Sequence, residues 1–139
     1  MLSQSGIVQQ LAKLPDFAQY SLSALALILV SVIIYEKLTP YREFELIKQN
    51  NVAAALSLCG AMVGFALPIA AVMIYAGSIA LMLLWSIIGM VFQYVAFLAL
   101  SLVFSGFKGR IEKGEAASGI FLFTVHLVVG IAIAAAMAE

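Results

Sequence analysis

Between Lys48 and Lys108 the chain reads QNNVAAALSLCGAMVGFALPIAAVMIYAGSIALMLLWSIIGMVFQYVAFLALSLVFSGF, residues 49–107, without one charged side chain. At 1.5 Å per residue a single helix of that length would reach roughly 88 Å, against a hydrocarbon core of about 30 Å. The run has to fold back on itself within a membrane. Gly and Ser interrupt it at Tyr75-Ala76-Gly77-Ser78, which puts a turn at 75–81 and spans at 52–74 and 82–105.

A charged side chain at the bilayer centre costs about 2.5–3.5 kcal/mol on insertion scales, so uncharged intervals mark the remaining spans. Upstream, Asp16 and Glu36 bracket residues 17–35; downstream, residues 116–138 run uncharged to Glu139. The fold expected is all-α and integral to the membrane, with four transmembrane helices. Composition agrees: 65% of the 139 residues are hydrophobic and 10% charged, with a mean hydropathy of +1.13, where a soluble domain carries about 25% charged residues. Seven Lys+Arg offset seven Asp+Glu, which leaves no basic footprint for nucleic acid. A single His and a single Cys cannot make a metal-ligand set at fixed spacing, and a lone Cys59 forms no internal disulfide. No nucleophile–base set, HExxH or phosphate-binding glycine loop is present, so no catalytic, cofactor-binding or metal-binding residue is assigned and no enzyme is expected.

Orientation follows from the basic residues. Lys37, Arg42 and Lys48 lie in the first connection, 36–51, and Lys108, Arg110 and Lys113 in the third, 106–115, while the turn at 75–81 has none. The positive-inside rule assigns the two charged connections to the cytoplasm and both termini to the periplasm. Tyr20, Tyr75 and Trp85 would then sit at the outer interface, and Tyr35, Tyr41, Phe104 and Phe107 at the inner one. Only Lys13 precedes the first apolar run, so no cleaved signal is expected. Residues 1–16 read as a periplasmic amphipathic segment, with Ile7, Leu11 and Leu14 at helical spacing ahead of Pro15.

The two halves echo each other. Thr39-Pro40-Tyr41-Arg42 leaves the first span as Ser105-Gly106-Phe107-Lys108 leaves the third, and Val63-Gly64 is echoed by Val129-Gly130. Residues 17–74 and 82–138 thus read as two parallel copies of a helix, charged connection and helix. In the first connection Thr39 is expected to cap a short helix with Pro40 in its first turn. Tyr41, Phe44 and Ile47 would share its apolar face, leaving Arg42, Glu43, Glu45 and Lys48 outside as a docking surface. Asn50 and Asn51 are expected to cap the second span.

Within the membrane, Ala53, Ser57, Gly60 and Gly64 give the second span a small-residue face with a GxxxG, and Gly130, Ala134 and Ala138 do the same for the fourth. Pro68 removes a backbone donor and frees the Gly64 carbonyl for another partner. Gln93 and His126 fall at the middles of antiparallel neighbours, where an amide–imidazole hydrogen bond is available. Two readings are open for that pair: a satisfied structural contact, or a proton relay or pore lining. The absence of a mid-membrane carboxylate speaks against the relay.

Leu38-Thr39-Pro40-Tyr41-x-Glu43, Leu46-Ile47, Asn51-Val52-Ala53-Ala54-Ala55 and Gly60-x-x-x-Gly64-x-x-x-Pro68, together with Trp85, Gln93, Ile111 and Gly130, resemble the YjfL-like bacterial inner-membrane family, domain of unknown function 350. The resemblance covers the chain after about residue 17. It implies a multi-pass protein of the bacterial plasma membrane built from two two-helix units, with an association with envelope-stress functions and no established activity. The family motif carries over onto Thr39, Pro40, Glu43, Asn51, Gly60, Gly64, Pro68, Trp85 and Gln93. Asn50 departs from it, standing where family members often have Gly, and His126 has no counterpart in the pattern.

The function expected first is a small structural or partner protein that self-associates through its small-residue faces and docks a cytoplasmic protein through its charged connections. Its alternative is a channel or transporter for a proton, ion or small solute, with Gln93 and His126 on the path. The partners expected are the lipid bilayer, a second copy of the chain and a cytoplasmic protein.

Overall fold

In the computed structural model, which describes residues 4–139, the regular elements are α1 (Gln4–Leu11), α2 (Leu14–Leu38), α3 (Glu43–Lys48), α4 (Val52–Tyr75), α5 (Ile79–Val103), α6 (Phe107–Glu112) and α7 (Ala116–Met137). Helices α2, α4, α5 and α7 are each apolar and long enough to cross a bilayer. Their ends depart from the uncharged intervals where local chemistry takes over. Helix α2 starts at Leu14 rather than 17 because Pro15 and Asp16 suit a first turn, and it carries Glu36 and Lys37 on its last turn. Helix α5 starts at Ile79 rather than 82 because the Ser78 hydroxyl accepts the Leu81 N–H at 3.3 Å, shortening the turn to Ala76–Ser78. Helix α1 buries none of its residues and is separated from α2 only by a turn at Ala12 and Lys13.

Helix α4 sits at the centre, with α2, α3, α5 and α7 packed on it, and α7 is its principal neighbour. The closeness is set by glycines. A Cβ at Gly119 would lie 2.7 Å from the Ala53 carbonyl oxygen, and one at Gly130 would lie 2.6 Å from that of Gly64. A Cβ at Gly60 would collide with the Phe123 backbone, and one at Gly64 would lie 2.7 Å from the His126 carbonyl oxygen. Positions rise together along both helices, so α4 and α7 run parallel, backbone against backbone. The small-residue face of α4 that the sequence offers to another copy is therefore filled within the chain. Pro68 cannot donate to Gly64, and the carbonyl it frees is the one against which Gly130 packs.

Outward-facing positions are large and apolar: Leu22, Leu25, Leu29 and Ile33 line one side of α2, and Leu84, Val91, Val95 and Leu102 stand on α5. Lipid is the solvent these residues fit. Helices α3 and α6 pack at one end of the bundle. They terminate alike: Asn50 (φ 63°) and Gly114 (φ 77°) turn left-handed, and their amides donate to Ile47 and Ile111 carbonyls at 2.9 Å. Asparagine tolerates that conformation better than most residues with a side chain. Asn50 therefore caps nothing with its side chain. Asn51 does: its Oδ1 accepts from Ala54 N at 2.9 Å, and its Nδ2 donates to the Ile111 carbonyl at 2.7 Å, tying the two connections together.

Candidate functional site

Helix α2 turns Ala24, Ser31, Val32 and Tyr35 inward. Tyr35 is fully buried in a cluster with Val32, Leu58, Phe65 and Phe97 and is not an interface anchor. Beyond Leu38 the backbone becomes extended at Thr39, as a residue ahead of proline must. Thr39 caps no following helix: it ends α2, and its hydroxyl lies 3.0 Å from the carbonyl oxygens of Glu36 and Tyr41. Pro40 occupies the tight turn so held. Arg42, rather than Thr39, precedes α3, and the turn sends Tyr41 and Glu43 back into the bundle.

This exchanges the expected places of Glu43 and Phe44. Glu43 is 0% exposed, whereas Phe44 is 42% exposed. Helix α3 has six residues, less than two turns, and the packing of Tyr41 beside Ala53, Ala54, Ile111 and Leu122 sets its rotation. Glu43 is thus removed from any docking surface, and Tyr41 from the interface.

Around Glu43 a hydrogen-bonded series enters the bundle. The Ser57 hydroxyl donates to Glu43 Oε1 at 3.0 Å. Tyr35 Oη lies 3.2 Å from Ser57 Oγ and 3.1 Å from His126 Nε2, and Tyr41 Oη lies 3.3 Å from Ser57 Oγ. Three elements converge here: α2 gives Tyr35, α4 gives Ser57 and α7 gives His126. The imidazole is stacked on Phe97, centroids 5.4 Å apart, and meets the Tyr35 ring edge-on at 5.2 Å.

Gln93 and His126 are both buried at one level, but not through the side-chain bond their depths suggest. Gln93 Nε2 donates to the His126 backbone carbonyl at 3.2 Å, leaving the imidazole to Tyr35, and Gln93 Oε1 has no partner. Gly64 makes room for this, since a Cβ there would lie 2.6 Å from Gln93 Nε2. Seven residues along the same face of α5, Ser86 Oγ is likewise buried and unpartnered. Pro68 packs opposite Gly89, between the levels of these two residues.

Burial pushes the Glu43 carboxyl up to about 8, with the nearby Glu36 carboxylate adding to the rise and the Ser57, Tyr35 and Tyr41 hydroxyls opposing it. Burial, and then the charge of Glu43, pushes the Tyr41 hydroxyl up to about 12. A carboxyl that exchanges its proton near neutral pH is thus joined to a mid-membrane imidazole by two hydroxyls. Protonated Glu43 donates to Ser57, Ser57 to Tyr35 and Tyr35 to Nε2. Moving each hydrogen one bond onward leaves Glu43 ionised and His126 doubly protonated, with every bond reversed. The carboxylate that the intramembrane segments lack comes from the connection. Tyr35, Tyr41 and Ser57 escaped sequence reasoning, although two tyrosines and a glutamate within nine residues at a helix end were the available signal.

The family model Domain of Unknown Function (DUF350) matches residues 8–137. The chain belongs to this family. UPF0719 inner membrane protein YjfL of Escherichia coli (strain K12) is 34% identical over 121 residues, covering 87% of this chain and 92% of the relative. The same-named protein of Escherichia coli O157:H7 matches to the same extent. No solved structure matches. Every residue of the buried series, from Tyr35 to His126, lies inside the matched family region.

Proposed function

We propose that this chain is a bacterial inner-membrane protein that takes up protons at its charged end and passes them to the bundle centre, as part of a proton-conducting or proton-coupled path. One observation carries the reading: Glu43, Ser57, Tyr35 and His126 make an unbroken series with links of 3.0–3.2 Å, all buried. A bundle built only for packing has no use for a glutamate in that position, since an apolar residue avoids the cost of burial. The inner-membrane assignment is supported by the printed name of the relative, and the positive-inside rule makes the charged end cytoplasmic and the termini periplasmic.

The test is proton flux into liposomes holding the purified protein and a trapped pH dye, driven by a potassium diffusion potential. Tyr35→Phe keeps the ring and removes the link, and should cut the flux at least about tenfold; His126→Leu should do the same. Flux no greater than in protein-free liposomes, or undiminished flux in Tyr35→Phe, refutes the reading.

A self-associating or partner-binding role in the envelope-stress setting of the family stands second. It is favoured by Phe44, exposed at the charged end between Arg42 and Glu45. Arg42→Ala or Phe44→Ala should then abolish co-purification of a second copy or of a cytoplasmic partner.

A further inference from the structure

At the end of the bundle opposite Glu43, a cavity of about 460 Å³ opens between α4, α5 and α7. Its back is closed where the Ile133 and Met137 side chains of α7 reach across to Gly89 of α5, beside Pro68. Along α5 it is lined by Leu81, Trp85, Ile88 and Phe92, one stripe at helical spacing, so at 1.5 Å per residue it runs about 16 Å down to the neighbour of Gln93. That is about half the thickness of a bilayer core. The volume falls within the roughly 300–1,000 Å³ of sites that take drug-sized molecules.

Three aromatic side chains line the cavity: Tyr75, the last residue of α4, with Trp85 and Phe92. They are 61%, 48% and 63% exposed, so packing of the core does not account for them. Among the lining residues the charged one is acidic, Glu139, exposed just beyond α7. Its carboxylate has no ion-pair partner among the described residues, the pairs Arg42–Glu45 and Arg110–Glu115 lying at the other end of the bundle. A phospholipid would bring a phosphate, and no basic residue lines the cavity to hold one. A cation is attracted both by the negative faces of aromatic rings and by a carboxylate, while an apolar wall takes its hydrophobic groups.

We infer that this cavity binds a lipophilic organic cation, its charge held among Tyr75, Trp85 and Glu139 and its apolar groups along the α5 stripe toward Phe92. The site lies at the opposite end from the buried proton series and its measurement involves no flux, so either can fail without the other.

Trp85 is the chain's single tryptophan, which makes its fluorescence a reporter of the cavity. Tetraphenylphosphonium titrated into the full chain in lipid nanodiscs should change that emission saturably, and Glu139→Gln and Tyr75→Leu should each weaken the affinity about two- to fivefold. Both side chains are exposed, so neither variant threatens the fold. Added salt should weaken binding to the wild type more than to Glu139→Gln. Triphenylphosphine oxide, which keeps the phenyl rings without the charge, should bind at least about fivefold more weakly than the cation. A signal that never saturates, an affinity unchanged in Glu139→Gln, or a neutral probe bound as tightly as the cation overturns the inference. The last result would leave the cavity as an apolar groove for an acyl chain.

Discussion

Replacing Gly130 by alanine tests the α4–α7 seam where two glycines face each other. The added methyl would lie 2.6 Å from the Gly64 carbonyl oxygen and 2.8 Å from Gly64 Cα, where ordinary contact begins near 3.4 Å. Neither atom is the end of a flexible side chain, so the helices must part by about 0.8 Å, and a gap of 0.5–1 Å forfeits roughly a quarter to a half of each dispersion contact along the seam. Overpacking of this kind costs about 1–3 kcal/mol, or about 5- to 150-fold in the folding equilibrium. Gly64→Ala should cost a similar amount and also displace Gln93 from the His126 carbonyl. Because the two glycines face each other, the double variant should cost less than the sum of the singles. Unfolding in mixed detergent micelles, read by helical signal and by tryptophan fluorescence, gives the difference. Gly109→Ala is the control: nothing lies within 4 Å of its added methyl, and on a helix it should gain about 0.5–1 kcal/mol. A Gly130→Ala protein as stable as the wild type would show that the seam is looser than described.

Glu43 makes stability depend on pH. Its folded-state value, raised from 4.5 to about 8, means that its contribution is intact below 4.5 and lost progressively as pH rises through about 8. Unfolding midpoints should decline across that window in the wild type and stay flat in Glu43→Gln. Ser57→Ala strips the donor from Glu43 and a partner from both tyrosines, and should cost about 1–3 kcal/mol in the same micelle assay. Asn51→Ala loses the α4 cap and the tie to Ile111, for about 1–2 kcal/mol, with faster amide exchange in both α3 and α6 as the distinguishing sign.

Charge spacing located all four spans, because the penalty for a buried charge is large and local. It was misleading only where a charge could be accommodated: Glu36 and Lys37 extend α2, and Glu43 is folded inward. The apolar spacing of Tyr41, Phe44 and Ile47 misplaced Phe44, and with it Glu43, because periodicity needs more turns than α3 has. Small residues at Gly60, Gly64 and Gly130 suggest a close-packing surface, and in the structure they lie against α7 and α4 backbone. Which helix fills it is a matter of tertiary arrangement, and spacing along one chain carries no record of that. Gln93 reaches the His126 backbone rather than its ring, and choosing between a ring nitrogen and a backbone carbonyl takes a geometry finer than a helical register.

The parallel seam also bears on how the chain is made. Helix α4 is complete at Tyr75, but the helix whose glycines fit it finishes at Met137, so at about 5–20 residues per second α4 waits several seconds in the membrane without its closest neighbour. During that interval Ser57 and the inward-folded Glu43 lack the wall that α7 provides. An insertase or chaperone that shelters polar intramembrane surface would be needed at that stage and no later. A ribosome stalled before Ala116 would leave a fragment with its small-residue groove open, a ready signal for membrane proteolysis.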